Sequence, residues 1–243
     1  MIKYTTMKRM GLFKTVSLLL GCLTMFSCVD YDDIQPFTGK TLPRKSGYST
    51  GVTNDWIYFN LRTGESFNTY TVNKDIKEGE QITRRDWDLA FCGYTMRTNS
   101  GTSGIGQGGA ADLGYGGYDD WTSVSQLPSD LEWVVDTDDV RVTMSQNDWN
   151  HYLVENNLDF DAHPWFDPNN GPATTETNAN PLLSQAMSFS GPPPTYTPSF
   201  HTYVVRTADG ERYFKIQIIS WYDANVEIGD EGGRISYYCD ELK

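Results

Sequence analysis

The chain has 243 residues, of which 38% are hydrophobic, 21% charged and 14% aromatic, and its formal charge is −13. That composition is globular with an aromatic surplus and excludes wholesale disorder. The acidic balance excludes a basic nucleic-acid footprint, so no nucleic acid is expected as a partner, and anionic polyphosphates suit little of this surface. The 22 glycines and 11 prolines favour turns and short strands over long helices.

The first segment is an address. Residues 1–27 carry Lys3, Lys8, Arg9 and Lys14 and no acid. An apolar run from Val16 to Phe26 follows, too short for the roughly 20 residues of a membrane-spanning helix. A short apolar run behind a basic stretch reads as a secretion signal. It ends at Ser27-Cys28, with Asp30, Asp32 and Asp33 close behind. This resembles a bacterial lipoprotein signal in which Cys28 becomes the lipidated first residue. A site at Cys22 would strand Leu23, Met25 and Phe26. The acidic cluster resembles the surface-export signal of Bacteroidetes lipoproteins, which implies a chain anchored by lipid to the outer membrane and exposed at the cell surface. The division expected is a signal over 1–27, an acidic flexible tether over 28–50 and a single β domain over 51–243. Cys92 and Cys239 are then the remaining thiols. An exported chain permits a disulfide between them, and two buried free thiols fit equally well.

Short strands dominate the rest. Trp56–Leu61 is apolar and aromatic, with a turn at Arg62–Glu65. Tyr70–Val72 is another strand candidate. Trp87, Leu89 and Phe91 alternate onto one face. Residues 99–117 hold eight glycines. They lack the Gly-Lys-Ser/Thr ending and the strand–loop–helix frame of a phosphate loop, so an irregular loop is expected. Trp133–Val135 and Val140–Met144 follow, the second with Val140, Val142 and Met144 on one face. Gln146–Leu153 suits a helical turn. Residues 157–200 form a long proline-rich stretch, of a length usually functional or disordered. His201–Thr207, a turn at Ala208-Asp209-Gly210, and Tyr213–Trp221 make a hairpin, and Arg234–Cys239 is a final strand. The fold class expected is all-β, mainly antiparallel, with few short helical turns and long loops.

Three stretches carry a family resemblance: Trp87-Asp88-Leu89-Ala90-Phe91; Arg97–Gly104 with Gly108-Gly109-Ala110; and Tyr203–Gly210 with Tyr213-Phe214-Lys215-Ile216. Together they resemble the HmuY-like haem-binding lipoproteins of Bacteroidetes, over about residues 50–240. The resemblance implies a largely β fold holding haem at one end between loops. It implies a haemophore that takes haem, or another tetrapyrrole, from host or dietary haemoproteins and passes it to a TonB-dependent outer-membrane receptor. Two histidines ligate the iron in the founding member, and methionines do so in several relatives. Here Met144, after the Val-rich strand, and Met187, before the strand at 201–207, stand about where those ligands fall, and no histidine does. A Met144/Met187 pair is therefore the expected ligand set, with Tyr196 lining the pocket and His163, beside Trp165, as a substitute donor. Thioether sulfur is a soft neutral donor that favours ferrous iron and carries no proton near neutral pH.

Other readings stay open at this stage. Met144 shares a face with Val140 and Val142, and core packing would account for it; Met187 would serve as a gap-filler. Met96, His151 and His201 read as packing or surface residues. Asp136–Asp139 and Asp167–Gly171 read as turns rather than calcium loops. No GxSxG, HExxH or Walker A motif is present, so an enzyme is not expected. A surface-anchored β module for glycan or protein, without haem, is the alternative function.

Overall fold

The computed structural model describes residues 36–43, 55–70, 72–191, 195–225 and 232–243. The signal, Cys28, most of the expected tether and Pro192–Pro194 lie outside the described residues. The chain divides into Met1–Pro36 and Phe37–Lys243, and every element below belongs to the second unit. Among the described residues the architecture is mainly antiparallel β, with one α-helix and a few single 3-10 turns.

Two sheets face each other. The larger runs β1 (Lys40–Thr41), β15 (Ser236–Glu241), β14 (Tyr213–Ser220), β13 (His201–Arg206) and β6 (Gly109–Tyr115). The smaller runs β3 (Ser66–Asn68), β2 (Ile57–Phe59), β4 (Leu89–Cys92) and β5 (Thr95–Thr98). Leu89 and Phe91 on one side and Tyr203, Val205, Phe214, Ile216 and Ile218 on the other meet in the main core. Each such side chain contributes about 1.5–3 kcal/mol on burial. The second faces are covered too, by Trp56, Tyr58 and Trp87 on the small sheet and by Trp121 and Trp133 against Val204 on the large one.

Three two-stranded ribbons complete the fold: β7 (Thr137–Thr143) with β10 (Thr174–Ala179), β8 (Phe166–Asp167) with β9 (Gly171–Pro172), and β11 (Met187–Ser190) with β12 (Thr195–Pro198). Helix α1 spans Gln146–Glu155. Its N-cap is Ser145, whose hydroxyl accepts the Asp148 N–H at 3.1 Å. No helix among the described residues is long and apolar enough to cross a membrane.

The residues that carry the family resemblance turn out to be fasteners. Fully buried Asp88 accepts the Leu61 N–H at 2.8 Å and Arg62 Nε at 3.2 Å on one oxygen, and the Ala208 N–H at 2.7 Å on the other. Arg62 continues to Asp209 at 2.7 Å, so the Trp-Asp stretch is tied to the Ala-Asp-Gly turn. Asn99 donates its amide to Arg84 O and Trp87 O, both at 2.9 Å, and accepts the Gly106 N–H at 2.9 Å. A Cβ at Gly104 would lie 2.2 Å from Asn99 Oδ1, and one at Gly106 would lie 2.6 Å from Asn99 O. The glycines wrap an asparagine amide.

Several expectations are corrected. Gly109–Tyr115 is strand β6, because small residues there let it lie against β13. A strand forms at Ser66–Asn68, while Thr71, in the middle of the strand expected at Tyr70–Val72, lies outside the described residues. Trp133–Val135 makes only a bridge, Val134 to Ala110. Trp87 lies ahead of β4 and joins Trp56 and Tyr58, its indole donating to Gln81 O at 3.0 Å, while Leu89 and Phe91 keep the expected alternation. The described part of residues 157–200 contributes short strands to three ribbons. Lys40–Thr41, within the stretch read as tether, is an edge strand beside β15. Of the two readings left open for Cys92 and Cys239, the buried one holds: both are buried and no disulfide joins them.

Candidate functional site

The site forms where β7 ends. Val140 and Val142 bury against Ala179 of β10. The chain then leaves the ribbon at Met144, whose N–H donates to Ala173 O at 2.9 Å. Its carbonyl accepts the Trp165 indole N–H at 2.8 Å, and the Trp165 carbonyl accepts the Ala173 N–H at 2.7 Å. These three bonds hold Met144 and Trp165 side by side, 21 residues apart in sequence.

Opposite them lies the β11–β12 ribbon, in which Phe189 pairs with Tyr196. Their rings are 5.3 Å apart. Tyr196 stacks on Trp221 at 4.4 Å and 14°, and Tyr94, from the β4–β5 turn, packs on both at 6.0 Å. Between these groups is a cavity of about 360 Å³, walled by Tyr94, Met144, Trp165, Phe189 and Tyr196. Its rim is polar, formed by Thr143 and the Ser145–Asn147 start of α1. None of the described residues lining it is Lys, Arg, Asp or Glu. A second depression of about 570 Å³ shares Thr143 and Phe189 with the first and reaches Arg141.

Of the residues singled out in the sequence, Met144 and Tyr196 meet in this cavity. Met187 opens β11 opposite Pro198, two residues before Phe189, and is buried in the main core rather than in the cavity wall. His163 is exposed, with Nδ1 3.0 Å from Asp159 O, and its own carbonyl accepts the Trp149 indole at 2.9 Å. Met96 is buried in the core, and His201 pairs with Asp112 at 2.9 Å. Sequence reasoning missed Tyr94 and Phe189. The signal for Phe189 was its i+2 spacing from Met187, which puts it on the same strand face. Tyr94 gave none, since only the fold brings the β4–β5 turn to this place.

The remaining ionisable clusters are structural. Asp136 is buried and accepts the Thr98 N–H at 3.0 Å, the Thr98 hydroxyl at 2.6 Å and the Asn180 amide at 3.1 Å. Burial pushes its carboxyl up to about 6, against the pull of those donors. Asp167 instead closes the β8–β9 turn through the Asn169 N–H at 2.8 Å and the Asn170 amide at 2.6 Å. No group of three or more His, Cys, Asp or Glu residues among the described residues is placed to hold a metal ion.

These residues suit a flat apolar ligand with a metal at its centre. Aromatic faces supply the walls, and Met144 brings one soft, neutral donor to them. The family model described as HmuY protein matches residues 52–239. Among solved structures, the fold is similar to apo PinO of Porphyromonas gingivitis, at 15% identity and TM-score 0.52, covering 84% of this chain and 95% of that one. It is also similar to the apo HmuY analogue (TFO) of Tannerella forsythia, at 18% identity and TM-score 0.50, covering 87% and 100%. No curated protein matches.

Proposed function

The chain belongs to the HmuY family, and from that premise we propose that it binds haem in the aromatic cavity beside Met144, as a haemophore rather than an enzyme. The single observation that carries the reading is a thioether side chain lining a cavity walled by four aromatic residues. Bound haem would supply the iron and its redox couple. Met144 is the residue to donate to that iron, and Tyr94, Phe189, Tyr196 and Trp165 are the residues to shield its faces from water. Met187, named with Met144 from the sequence resemblance, is the second candidate donor, although it lies in the core behind the cavity wall. Neutral thioether ligation favours the ferrous state and removes a proton-linked step between pH 5 and 8.

The same reading takes lipidation at Cys28, outer-membrane surface exposure, capture from host or dietary haemoproteins and delivery to a TonB-dependent receptor from the sequence resemblance. A second reading, a glycan or protein platform, is favoured by Trp149 and Tyr152, which stack at 5.3 Å and 16° on α1.

The test is an absorbance titration of the domain with haem, oxidised and then reduced by dithionite. A saturable Soret band with sharp low-spin ferrous bands is expected, broadened and weakened in Met144→Ala. Met187→Ala is run beside it with a urea melt, because a buried methionine truncation costs about 2–5 kcal/mol of stability by itself. Spectra identical to free haem for the unaltered protein would discard the haem reading and favour the platform.

A further inference from the structure

We propose that Arg141 is the carboxylate-binding residue of this cleft and makes it selective for a ligand with ionised carboxyl groups. The inference rests on the haem reading above and assigns the charged end of the same site.

The aromatic cavity has no charged side chain among its described lining residues. It therefore offers an anionic group only neutral donors, and an opposing charge must come from a neighbouring residue. The neighbouring depression shares two wall residues with it, Thr143 and Phe189, and brings Arg141 to the same cleft. Arg141 and Thr143 alternate on β7 with the buried Val140 and Val142, so Arg141 falls on the outward face of the ribbon.

Arg141 and Arg85 are the two described arginines whose side chains form neither a hydrogen bond nor an ion pair with described residues, and of the two only Arg141 lies at the cleft. Arg62, Arg84, Arg97, Arg212 and Arg234 all form ion pairs. Arg141 makes no side-chain hydrogen bond or ion pair with the described residues, although Glu176 sits directly across from it on β10. In a chain of charge −13 a guanidinium left open beside a cavity is unusual. The carboxylate nearest in the wall, Asp167, already accepts from Asn169 and Asn170. A planar guanidinium fork recognises a carboxylate with two parallel bonds, which an ammonium cannot reproduce.

The experiment compares haem with its dimethyl ester, which has the same macrocycle and iron but no ionised carboxyl group. Both are titrated into the unaltered protein, Arg141→Gln and Arg141→Lys. The unaltered protein should bind haem about tenfold more tightly than the ester, the size of one charge-assisted bond pair. Arg141→Gln should bind the two equally, by loss of haem affinity alone, and Arg141→Lys should recover only part of the preference. Its exposure leaves the fold intact in all three. An unchanged preference in Arg141→Gln, or no preference in the unaltered protein, would overturn the assignment while leaving the haem reading standing. Failure of the unaltered protein to bind either compound would overturn both.

Discussion

The seam where the small sheet meets the loops around it and the lobe around the cleft are fastened differently. At the seam, charged and amide side chains are buried and saturated. Arg97 is 3% exposed; it donates to Tyr58 Oη at 2.6 Å, Glu78 at 2.7 Å and Asn178 O at 2.7 Å, and lies 3.7 Å over the Trp56 ring. Asp88, Asn99 and Asp136 are held in the same way. Among the described residues the lobe has no such knots: of the α1 residues only Leu153 is buried, and two indole–carbonyl bonds pin the intervening turn. The difference teaches where change is costly. Buried polar groups deprived of a partner lose stability outright, whereas the lobe can be altered at the expense of its ligand.

The largest effect that would break this contrast is at the seam. Arg97→Ala should lose about 3–5 kcal/mol in urea unfolding, since it takes the buried donor from the Tyr58 hydroxyl and the Asn178 carbonyl and leaves Glu78 without its ion pair. A loss under about 1 kcal/mol would show that the seam is no more tightly fastened than the lobe.

Next comes a pH signature. The folded carboxyl of Asp136 titrates at about 6, above the unfolded value of about 3.9. The native state therefore holds that proton longer. This contribution is complete below about pH 4 and disappears as the pH rises through about 6, worth about 3 kcal/mol at most. Asp209 has the opposite sign. Burial alone would raise it, but Thr207, the Glu211 N–H and Arg62 bring it down to about 2, so its contribution is present above about pH 4 and fades as the pH falls toward 2. Stability curves from pH 4 to 6 should flatten in Asp136→Asn; a slope equal to that of the unaltered protein would assign the titration elsewhere.

In the lobe, Trp165→Phe deletes the bond to the Met144 carbonyl but keeps an aromatic wall. Stability should move by about 1 kcal/mol or less while haem affinity falls several-fold. Equal losses in the two measurements would erase the distinction between lobe and seam. The smallest signal expected is none: Cys92 and Cys239 are buried and burial raises both thiols, Cys239 to about 12. A thiol reagent should label neither until the protein is unfolded.

Much of the fold was legible because strand periodicity is local. The hairpin of β13 and β14, the alternation of Leu89 and Phe91, and the short helix after Ser145 follow from residues within a few positions of one another. Gly109–Tyr115 was not legible, because only its pairing with β13 makes a strand of a glycine-rich run. Nor could the ribbons within 157–200 be read from so many prolines. The cleft was half legible. Met144 and Tyr196 were named from the sequence and do line it. Met187 was named with them and lies in the core, because two neighbouring positions on one strand face part company where the wall begins. Tyr94 belongs to the cleft only through long-range geometry.

The edge strand at Lys40–Thr41 has a mechanical meaning. It is the first described stretch of chain to be hydrogen-bonded into a sheet, and it holds by two residue pairs with β15, a Leu42 N–H bond to Ile235 O at 3.0 Å and a Lys40 bond to Cys239 O at 2.9 Å. Tension on the chain ahead of Phe37 therefore falls first on this short clip. Detaching it uncovers one edge of β15 and leaves β14, β13 and β6, with their own ladders, still joined. The cleft is walled by residues from other elements, so a pull on this strand loads the edge of β15 before it loads the cleft.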